Sequence, residues 1–416
     1  MRNTILAAWL DTMLAMRLDT PGLQRRRAQL WRRLAAPLAA TPMFAPRAGR
    51  PLDAFPVLDP AALRQSFGAA NSLGLAATEA FAAAADAERG GTGLVRTGVI
   101  AGLSTGTSGQ RGLFVASPAE RARYVGQSLA KLLPPRMLVT GGRIALFLRA
   151  NSSLYSDVAT AGRFRFRHFP LDLPPARKLL ALREFAPDTL VAPAHVLAEL
   201  AGCIEDGAAP IPTIVRLFDG GEPMGDAERQ WLAGPFGVRP RSIYQATEGF
   251  LAATCRYGRL HLNEDSLAVE LEPIEGTTAF RPIVTDLMRT SQPIVRVRLD
   301  DVVEPTGELC ACGFAGRVIR PVAGRITDIW TLGDRHILPA TVAGALEQGL
   351  GPRAEWVATG SPTGVAVSLR DGRFADAAVQ ALEQLLIRPL PISIQVSASL
   401  IDTPKRRRVR WESAHG

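Results

Sequence analysis

The sequence contains few cysteine and few lysine residues, and both shortages limit the kinds of protein that it can encode. Four cysteines in 416 residues are too few for a disulfide scaffold, which favours a reducing, cytoplasmic setting. Only three lysines occur, so the net charge of +9 rests almost entirely on arginine. The three are Lys131, Lys178 and Lys405. A basic chain of this kind can bind anionic partners.

Long apolar runs are also missing. Charged residues interrupt each hydrophobic stretch before it reaches the roughly 18 residues of a membrane-spanning helix, so no membrane span is predicted. The apolar N-terminus meets Asp11 and lacks a cleavage region, so we interpret it as a helix rather than a signal peptide. With 47% hydrophobic residues, the chain can form a large core and is long enough for two domains.

Two common nucleotide-binding motifs are absent, but a different glycine-rich loop is present. The sequence has neither the Gly-Lys-Ser/Thr ending of a P-loop nor the spacing of a dinucleotide-binding motif. Between two apolar segments lie Ser104, Thr105, Gly106, Thr107, Ser108 and Gly109. Glycine allows close backbone approach, and successive amides with hydroxyls form an anion site. The loop is therefore a candidate triphosphate site, with a polar hairpin turn as the alternative.

Strand-like and helix-like segments alternate through the middle of the chain, which predicts an α/β fold. Residues 1–45 show helical spacing, and residues 24–34 form a basic amphipathic helix. We interpret that helix as a cap on the large domain, with membrane-surface binding as the alternative. Ser117, Pro118 and Glu120 have the pattern of a helix start.

Three polar segments follow predicted strands, where ligands bind in α/β sheets. The first segment is Gly220, Gly221, Glu222 and Pro223, and the second contains Tyr244, Thr247 and Glu248. A carboxylate such as that of Glu248 is a natural Mg²⁺ ligand beside phosphates. Asp301, in the third, offers two acceptor oxygens to paired hydroxyls. Ordinary turns, or a charged hairpin edge, are the alternatives.

A second group of residues has the composition of a metal site. Cys255, His261, Cys310 and Cys312 provide three thiols and an imidazole. Such a set suits tetrahedral Zn²⁺, and four protein ligands imply a structural site. Two unrelated cysteine pairs in strands are the alternative. Cys203 stands apart and is interpreted as a core residue.

The glycine loop and the strand-end segments, in this order, resemble the motifs of the adenylate-forming, or acyl-CoA synthetase, superfamily. The Cys, His, Cys-x-Cys-Gly arrangement is similar to that of its phenylacetate–CoA ligase-like branch, and several stretches look like the CapK-like subgroup. The resemblance implies a large domain at residues 1–325, with N-terminal helices at 1–45. It also implies a small α+β domain at 326–416, joined by a hinge near Thr327 and Asp328.

The resemblance also implies roles for individual residues. Residues 104–109 would hold the ATP phosphates, and residues 220–223 and Tyr244 would pack near adenine. Thr247 would contact the α-phosphate, and Glu248 would hold Mg²⁺. Asp301 would bind the ribose, and Arg325 would meet the phosphate or ribose. Lys405 would neutralise charge at the α-phosphate during catalysis.

The sequence departs from the family pattern at two of these places. Gln110 and Arg111 stand where a lysine often follows the loop, and Leu299 and Asp300 replace a usual Thr-Gly before Asp301. Because the ribose motif is altered, a degenerate ligase that binds nucleotide without catalytic turnover is a further alternative.

The function implied is ATP-dependent conversion of a small carboxylic acid to acyl-AMP. The acyl group would then pass to a thiol, either CoA or the phosphopantetheine of a carrier protein. An amide-forming ligase with an amine acceptor is an alternative. Another is a zinc-stabilised nucleic-acid-binding protein using residues 24–33 and 405–410, although its recognition motifs are absent and no nucleic acid is expected. The sequence identifies neither the carboxylic acid nor the acceptor. It also does not determine the oligomeric state, for which a homodimer is one alternative.

Overall fold

The computed structural model describes residues 2–103, 111–147, 163–386, 389–397, 400 and 406–413. The glycine loop at residues 104–109 and Lys405 lie outside these ranges. The described α-helices are α1 (Arg2–Ala15), α2 (Thr20–Ala39), α3 (Pro60–Gln65), α4 (Ala77–Glu88), α5 (Pro118–Leu132), α6 (Met137–Thr140), α7 (Pro175–Phe185), α8 (Ala194–Glu205), α9 (Asp226–Phe236), α10 (Pro339–Leu350) and α11 (Ala375–Leu385). None of these helices combines the length and apolar character needed to cross a bilayer.

The described strands of the first part of the chain are β1 (Leu94–Arg96), β2 (Val99–Leu103), β3 (Leu113–Ala116), β4 (Gly142–Leu146), β5 (Phe164–His168), β6 (Thr189–Ala192), β7 (Arg216–Gly220), β8 (Arg241–Ala246), β9 (Gly249–Thr254), β10 (Leu260–Leu262), β11 (Leu267–Pro273), β12 (Phe280–Asp286), β13 (Ile294–Arg298), β14 (Asp301–Val302), β15 (Val318–Ile319) and β16 (Gly324–Arg325). Those nearer the C-terminus are β17 (Trp330–Leu332), β18 (Arg335–Ile337), β19 (Trp356–Ser361), β20 (Gly364–Leu369), β21 (Ile392–Val396) and β22 (Val409–Trp411).

An eight-stranded sheet organises the large part of the molecule. Its strand order is β15-β10-β9-β8-β7-β6-β4-β5, with parallel pairing from β5 to β8 and antiparallel pairing beyond β8. Alternate residues of the parallel strands point to opposite faces. Ala145 and Leu190 pack with α7, α8 and α9, whereas Ile144, Val191 and Phe218 pack with α1 and α5. Apolar helices therefore cover both faces, as the alternating sequence pattern predicts.

The basic helix α2 packs on the large domain through its apolar side. Leu30, Leu34 and Leu38 are buried in the core that also contains β11 to β13. On its polar side, Arg26 donates to Asp11 and Arg27 donates to Glu264. The helix thus has the capping position favoured by the sequence, and two of its arginines bind carboxylates of the same chain.

The C-terminal part has its own core. A four-stranded sheet, β21-β20-β19-β22, packs with α10 and α11, and Trp330 and Trp356 are fully buried among them. A 3₁₀ turn at Ile326–Asp328 connects this part to β16. The fold is therefore a mixed α/β architecture with a large N-terminal portion and a smaller α+β portion, which confirms the fold class predicted from the sequence.

The helix start predicted at Ser117 is confirmed, because Ser117 and Glu120 form a capping box at the start of α5. β7 begins at Arg216, after the buried residues Ile211 and Ile214, which pack beside α8. α7 begins at Pro175, and proline is suited to the first helical turn.

Candidate active site and metal centre

A cavity of about 1000 Å³ lies at the carboxyl ends of the parallel strands. Pro193 follows β6, Gly221 follows β7 and Thr247 follows β8, and all three line the cavity. The C-terminal part contributes lining residues from α10 and from residues 406–409. This is the position where open α/β sheets bind their ligands.

Tyr244, Asp301 and Arg325 come together on one side of this cavity. The Tyr244 hydroxyl donates to Asp301 Oδ2 at 2.7 Å, and Asp301 pairs with Arg325 in the short β14–β16 ladder. Burial, together with the Asp301 carboxylate, raises the pKa of Tyr244 well above its ordinary value, so the phenol stays protonated. The structure thus brings together the three residues that the resemblance placed around adenine and ribose.

Glu248 occupies the tip of the hairpin between β8 and β9, directly after Thr247. Gly249 follows with φ of 158°, and a Cβ there would lie 3.3 Å from Asp286 Oδ2, so glycine lets the hairpin approach that carboxylate. Burial raises the pKa of Glu248, and Asp301 adds to the rise, while Arg289 and Arg64 oppose it. A cation binding beside Glu248 would offset this cost of ionisation.

Two residues of this cavity had no role in the sequence-based prediction. Arg289 donates to the Thr247 carbonyl at 2.6 Å and so fixes the backbone before Glu248. Asp286 lines the cavity, and burial raises its pKa to about 6, although the Met288 amide donates to it at 2.9 Å. The signal for both was the polar sequence 285–290 at the end of β12, in which an acid precedes an arginine by three residues.

In the segment 220–223, the glycine backbone lines the cavity, whereas the Glu222 carboxylate binds residues of other segments. Gly221 has φ of 87°, and among the described residues no atom beyond its chain neighbours lies within 4 Å of a Cβ built there. The Glu222 carboxylate accepts from His195 Nδ1 at 2.8 Å and from the Arg406 backbone amide at 2.9 Å. In this structure the Glu222 side chain therefore links the strand end to the C-terminal part, while the glycines remain open to a ligand.

The basic segment after Lys405 is held by buried carboxylates. Arg406 donates to both carboxylate oxygens of Glu228 at 2.7 Å, and Glu228 is fully buried. Arg408 donates to Glu347 at 2.7 Å and reaches Glu228 at 3.3 Å. Since Glu228 belongs to α9 and Glu347 to α10, these arginines bind the two parts of the molecule to each other. Arg406 and Arg408 are thus bound within the protein and do not belong to a solvated basic tail.

Leu299 and Asp300, the two residues that depart from the family pattern before Asp301, both make contacts within the protein. Leu299 is buried in the large core, and Asp300 accepts from Arg281 at 2.8 Å. Neither change displaces Asp301 from Tyr244. The altered motif therefore keeps the carboxylate that a ribose would require.

Cys255, His261, Cys310 and Cys312 form a compact cluster away from these carboxylates. One ligand atom from each lies within 4.8 Å of the others. Cys255 Sγ is 3.7 Å from Cys310 Sγ, and Cys312 Sγ is 3.4 Å from His261 Nε2. Two sulfurs bound to zinc at about 2.3 Å and a tetrahedral angle would lie about 3.8 Å apart. The structure therefore brings the four side chains together, and these two separations are close to those expected around a zinc ion.

The surroundings of the cluster orient its imidazole. His261 Nδ1 lies 2.8 Å from the Gly316 carbonyl, which leaves Nε2 directed at Cys312. Such a second hydrogen bond is characteristic of metal-binding histidines. Burial and the neighbouring sulfurs raise the pKa of Cys312 to about 12.

Comparisons with known proteins identify the fold. No family model and no curated protein matches the sequence. The structure is similar to 2-hydroxyisobutyryl-CoA ligase in the postadenylation state, in complex with R3-HIB-AMP, with a TM-score of 0.66 and 15% identity over 96% of this chain and 91% of that one. The same ligase in the thioesterification state gives a TM-score of 0.55 at 18% identity, over 96% and 92% of the two chains.

A third similar structure has a different acceptor chemistry. The amide bond synthetase McbA from Marinactinospora thermotolerans has a TM-score of 0.53 at 14% identity, over 74% of this chain and 68% of that one. The fold is thus shared by ligases that differ in their final product.

Proposed function

We propose that this chain uses ATP to activate a carboxylic acid as an acyl adenylate and then transfers the acyl group to a thiol. The observation that carries the proposal is the convergence of Tyr244, Asp301 and Arg325 in the same cavity as Glu248. They lie at the carboxyl ends of the strands, in a fold shared with ligases that form AMP intermediates.

In this proposal each residue has a role that its position supports. Asp301 accepts hydrogen bonds from the ribose hydroxyls, and the protonated Tyr244 holds that carboxylate in place. The open backbone at Gly221 and the ring of Tyr244 border the adenine, while Thr247 and Arg325 face the phosphate. Glu248 would hold Mg²⁺, which would supply positive charge to the phosphates. Arg289 positions the turn that carries Thr247 and Glu248.

Residues 104–109 and Lys405 complete the proposal from outside the described ranges. The loop would bind the β- and γ-phosphates through its amides and hydroxyls. Lys405 would stabilise the charge that develops as the acid's carboxylate oxygen attacks the α-phosphorus and pyrophosphate leaves. The neighbouring Arg406 is bound to Glu222 and Glu228 in this structure, which anchors the chain next to Lys405 beside the segment 220–223.

The acceptor in our proposal is a thiol, from CoA or from a carrier-protein phosphopantetheine. The similarity to a CoA ligase over nearly the whole chain supports this choice. The second candidate is an amine acceptor, which the similarity to an amide bond synthetase favours. Both would use the same acyl adenylate, so the first half-reaction can be tested without choosing between them.

We also propose that the Cys/His cluster binds one structural Zn²⁺. All four ligands come from the protein, which leaves no position for substrate. The cluster ties the β9–β10 hairpin to residues 310–312 and so fixes the outer edge of the large sheet.

The test of the proposed function is ATP–pyrophosphate exchange with Mg²⁺ and a panel of aryl, fatty and amino acids. We expect exchange that depends on one class of acid. Thiols and amines would then be offered to the preformed acyl adenylate, and the product would identify the acceptor. Absence of ATP binding would refute the proposal.

Lys405 provides a sharper test of the first half-reaction. Replacing Lys405 by alanine should lower acyl-AMP formation by roughly 100-fold or more while ATP binding stays near normal. Lys405→Arg is the matched control, since it keeps the positive charge and should retain more activity than the alanine variant. Equal rates for Lys405→Ala and the wild type would remove this lysine from the mechanism.

A further inference from the structure

Glu228, near the start of α9, has a degree of burial that its place in the helix does not explain. An acid in the first turn of a helix is favourable because of the helix dipole, and charged side chains are mostly exposed. Asp226 lies in the same turn, and its side chain is 87% exposed. Glu228 is fully buried. A buried carboxylate needs partners that compensate for its lost solvation.

The partners of Glu228 are two arginines of the segment 406–408. Arg406 donates to both of its carboxylate oxygens at 2.7 Å, and Arg408 donates to it at 3.3 Å. Arg408 also binds Glu347 at 2.7 Å, and a Cβ at Gly225 would overlap the Glu347 carboxylate. Glycine before α9 therefore keeps open the space in which these four charged side chains meet.

Arg406 is held at two points. Its side chain binds Glu228, and its backbone amide donates to the Glu222 carboxylate at 2.9 Å. Two contacts at opposite ends of one residue fix its orientation as well as its position. Both Arg406 and the segment 220–223 line the cavity. The pair of contacts therefore fixes this part of the C-terminal chain relative to the proposed adenine site.

A different ion pair also joins the two parts of the molecule, and it is not buried. Arg353 binds Glu205 at 3.2 Å and Asp206 at 3.0 Å, and the Arg353 side chain is 52% exposed. Exposed ion pairs of this kind contribute little to stability. Contact between the two parts is thus possible without a fully buried carboxylate, so the burial of Glu228 calls for a more specific role.

We propose that Glu228 is a positioning residue for acyl-AMP formation, which acts by holding Arg406 and, through it, Lys405. The inference rests on the proposed function, in which Lys405 stabilises charge at the α-phosphorus. Lys405 lies outside the described residues, and it is the residue directly before Arg406 in the chain. Misplacing a catalytic group by about 1 Å can cost roughly 100-fold in rate. Removing the Glu228 charge would leave Arg406 without its buried counter-ion and weaken that constraint.

The experiment measures ATP–pyrophosphate exchange with the acid that gives the fastest wild-type rate in the panel of aryl, fatty and amino acids. The proteins are the wild type, Glu228→Gln, Arg406→Lys, Lys405→Ala and the control Arg353→Gln. Glu228→Gln and Arg406→Lys are also each combined with Lys405→Ala. Calorimetric titration with ATP and thermal unfolding are measured for every protein.

Glu228→Gln should lower kcat by about 10- to 100-fold while the KM for ATP changes by less than about twofold. Arg406→Lys keeps a charge opposite Glu228 but loses the fork of the guanidinium, so its rate should lie between those of Glu228→Gln and the wild type. Arg353→Gln should stay within about twofold of the wild type. In the Lys405→Ala background, Glu228→Gln should change the rate by less than about twofold, because its effect passes through the lysine.

A purely structural role for Glu228 would give a different pattern. Glu228→Gln would then slow the Lys405→Ala variant by the same factor as the wild type, or Arg353→Gln would slow exchange as much as Glu228→Gln does. Either result, or a folded Glu228→Gln variant with the wild-type rate, would overturn the inference and leave acid activation intact. If Glu228→Gln does not fold, Arg406→Lys with and without Lys405→Ala provides the same comparison. Failure of every acid to support exchange by the folded wild type would instead refute the proposed function together with the inference.

Discussion

Two groups of side chains in the described part of the chain, the Cys/His cluster and the carboxylates of the cavity, differ in how closely their donor atoms approach one another. The Cys/His cluster brings four donor atoms within 4.8 Å of each other, and His261 is oriented by a backbone carbonyl. The cavity instead contains the carboxylates of Glu248, Asp286 and Asp301 along a surface open to ligands. The first set has the residue types of a complete metal site, whereas the second would need phosphates or water to complete a hard-metal site.

This difference predicts that one group of side chains affects the stability of the fold and the other affects catalysis. A complete set of protein ligands contributes its binding free energy to folding, because the unfolded chain has no such site. An incomplete set remains costly until substrate arrives, as the raised pKa values of Glu248 and Asp286 indicate. Substitutions in the first cluster should therefore change unfolding, and substitutions in the second should change catalysis.

The largest expected effect is removal of the metal from the Cys/His cluster. Cys312→Ala should lower the free energy of unfolding by several kcal/mol, since zinc binding in peptide sites contributes about 10–16 kcal/mol. Elemental analysis should find about one zinc per wild-type chain and almost none in the variant. Cys203→Ala, outside the cluster, is the control and should keep its zinc. Metal-free wild-type protein with unchanged unfolding would contradict the structural role.

The next effect concerns Glu248 and should show the opposite pattern. Glu248→Gln should lower acyl-AMP formation by about 100- to 1000-fold, because a neutral amide is a poor ligand for a hard cation beside phosphates. Its unfolding should change little, since burial already disfavours the charged form. Glu308→Gln, in an exposed ion pair with Arg259, is the control for a lost carboxylate. A Glu248→Gln variant that loses both stability and activity would contradict the prediction that the cavity carboxylates affect catalysis alone.

The sequence indicated both clusters because their residue types are unusual and their positions follow local rules. Cys310 and Cys312 are two residues apart, Tyr244 lies near the end of β8, and Glu248 follows that strand. The carboxyl ends of parallel strands meet at one edge of a sheet, so Tyr244 and Glu248 could be expected at this edge. Asp301 follows β13 of a separate antiparallel sheet, so only the resemblance implied its place beside Tyr244.

The residues that sequence reasoning missed depend on distant partners. Arg406 and Glu228 are 178 positions apart, and a run of arginines near the C-terminus is usually solvated. Their pairing depends on how the two parts of the chain pack, which no local pattern specifies.

The smallest expected effect concerns Asp286 and the free-energy cost of burying its carboxylate in the cavity. Burial raises the pKa of Asp286 to about 6, so the native state binds a proton more tightly than the unfolded state. Its contribution to stability is present at low pH and is lost as the pH rises from about 4 to about 6. Between about pH 5 and pH 7 this loss amounts to about 1 kcal/mol.

Asp286→Asn should remove that dependence, since an amide does not titrate. Urea unfolding at the two pH values would measure it, with Asp226→Asn as the control, because the Asp226 side chain is 87% exposed. The wild type and the control should lose about 1 kcal/mol more than Asp286→Asn over this range. An identical loss in all three proteins would mean that Asp286 is not strained in the free site, and that the cavity carboxylates are no more costly than surface acids.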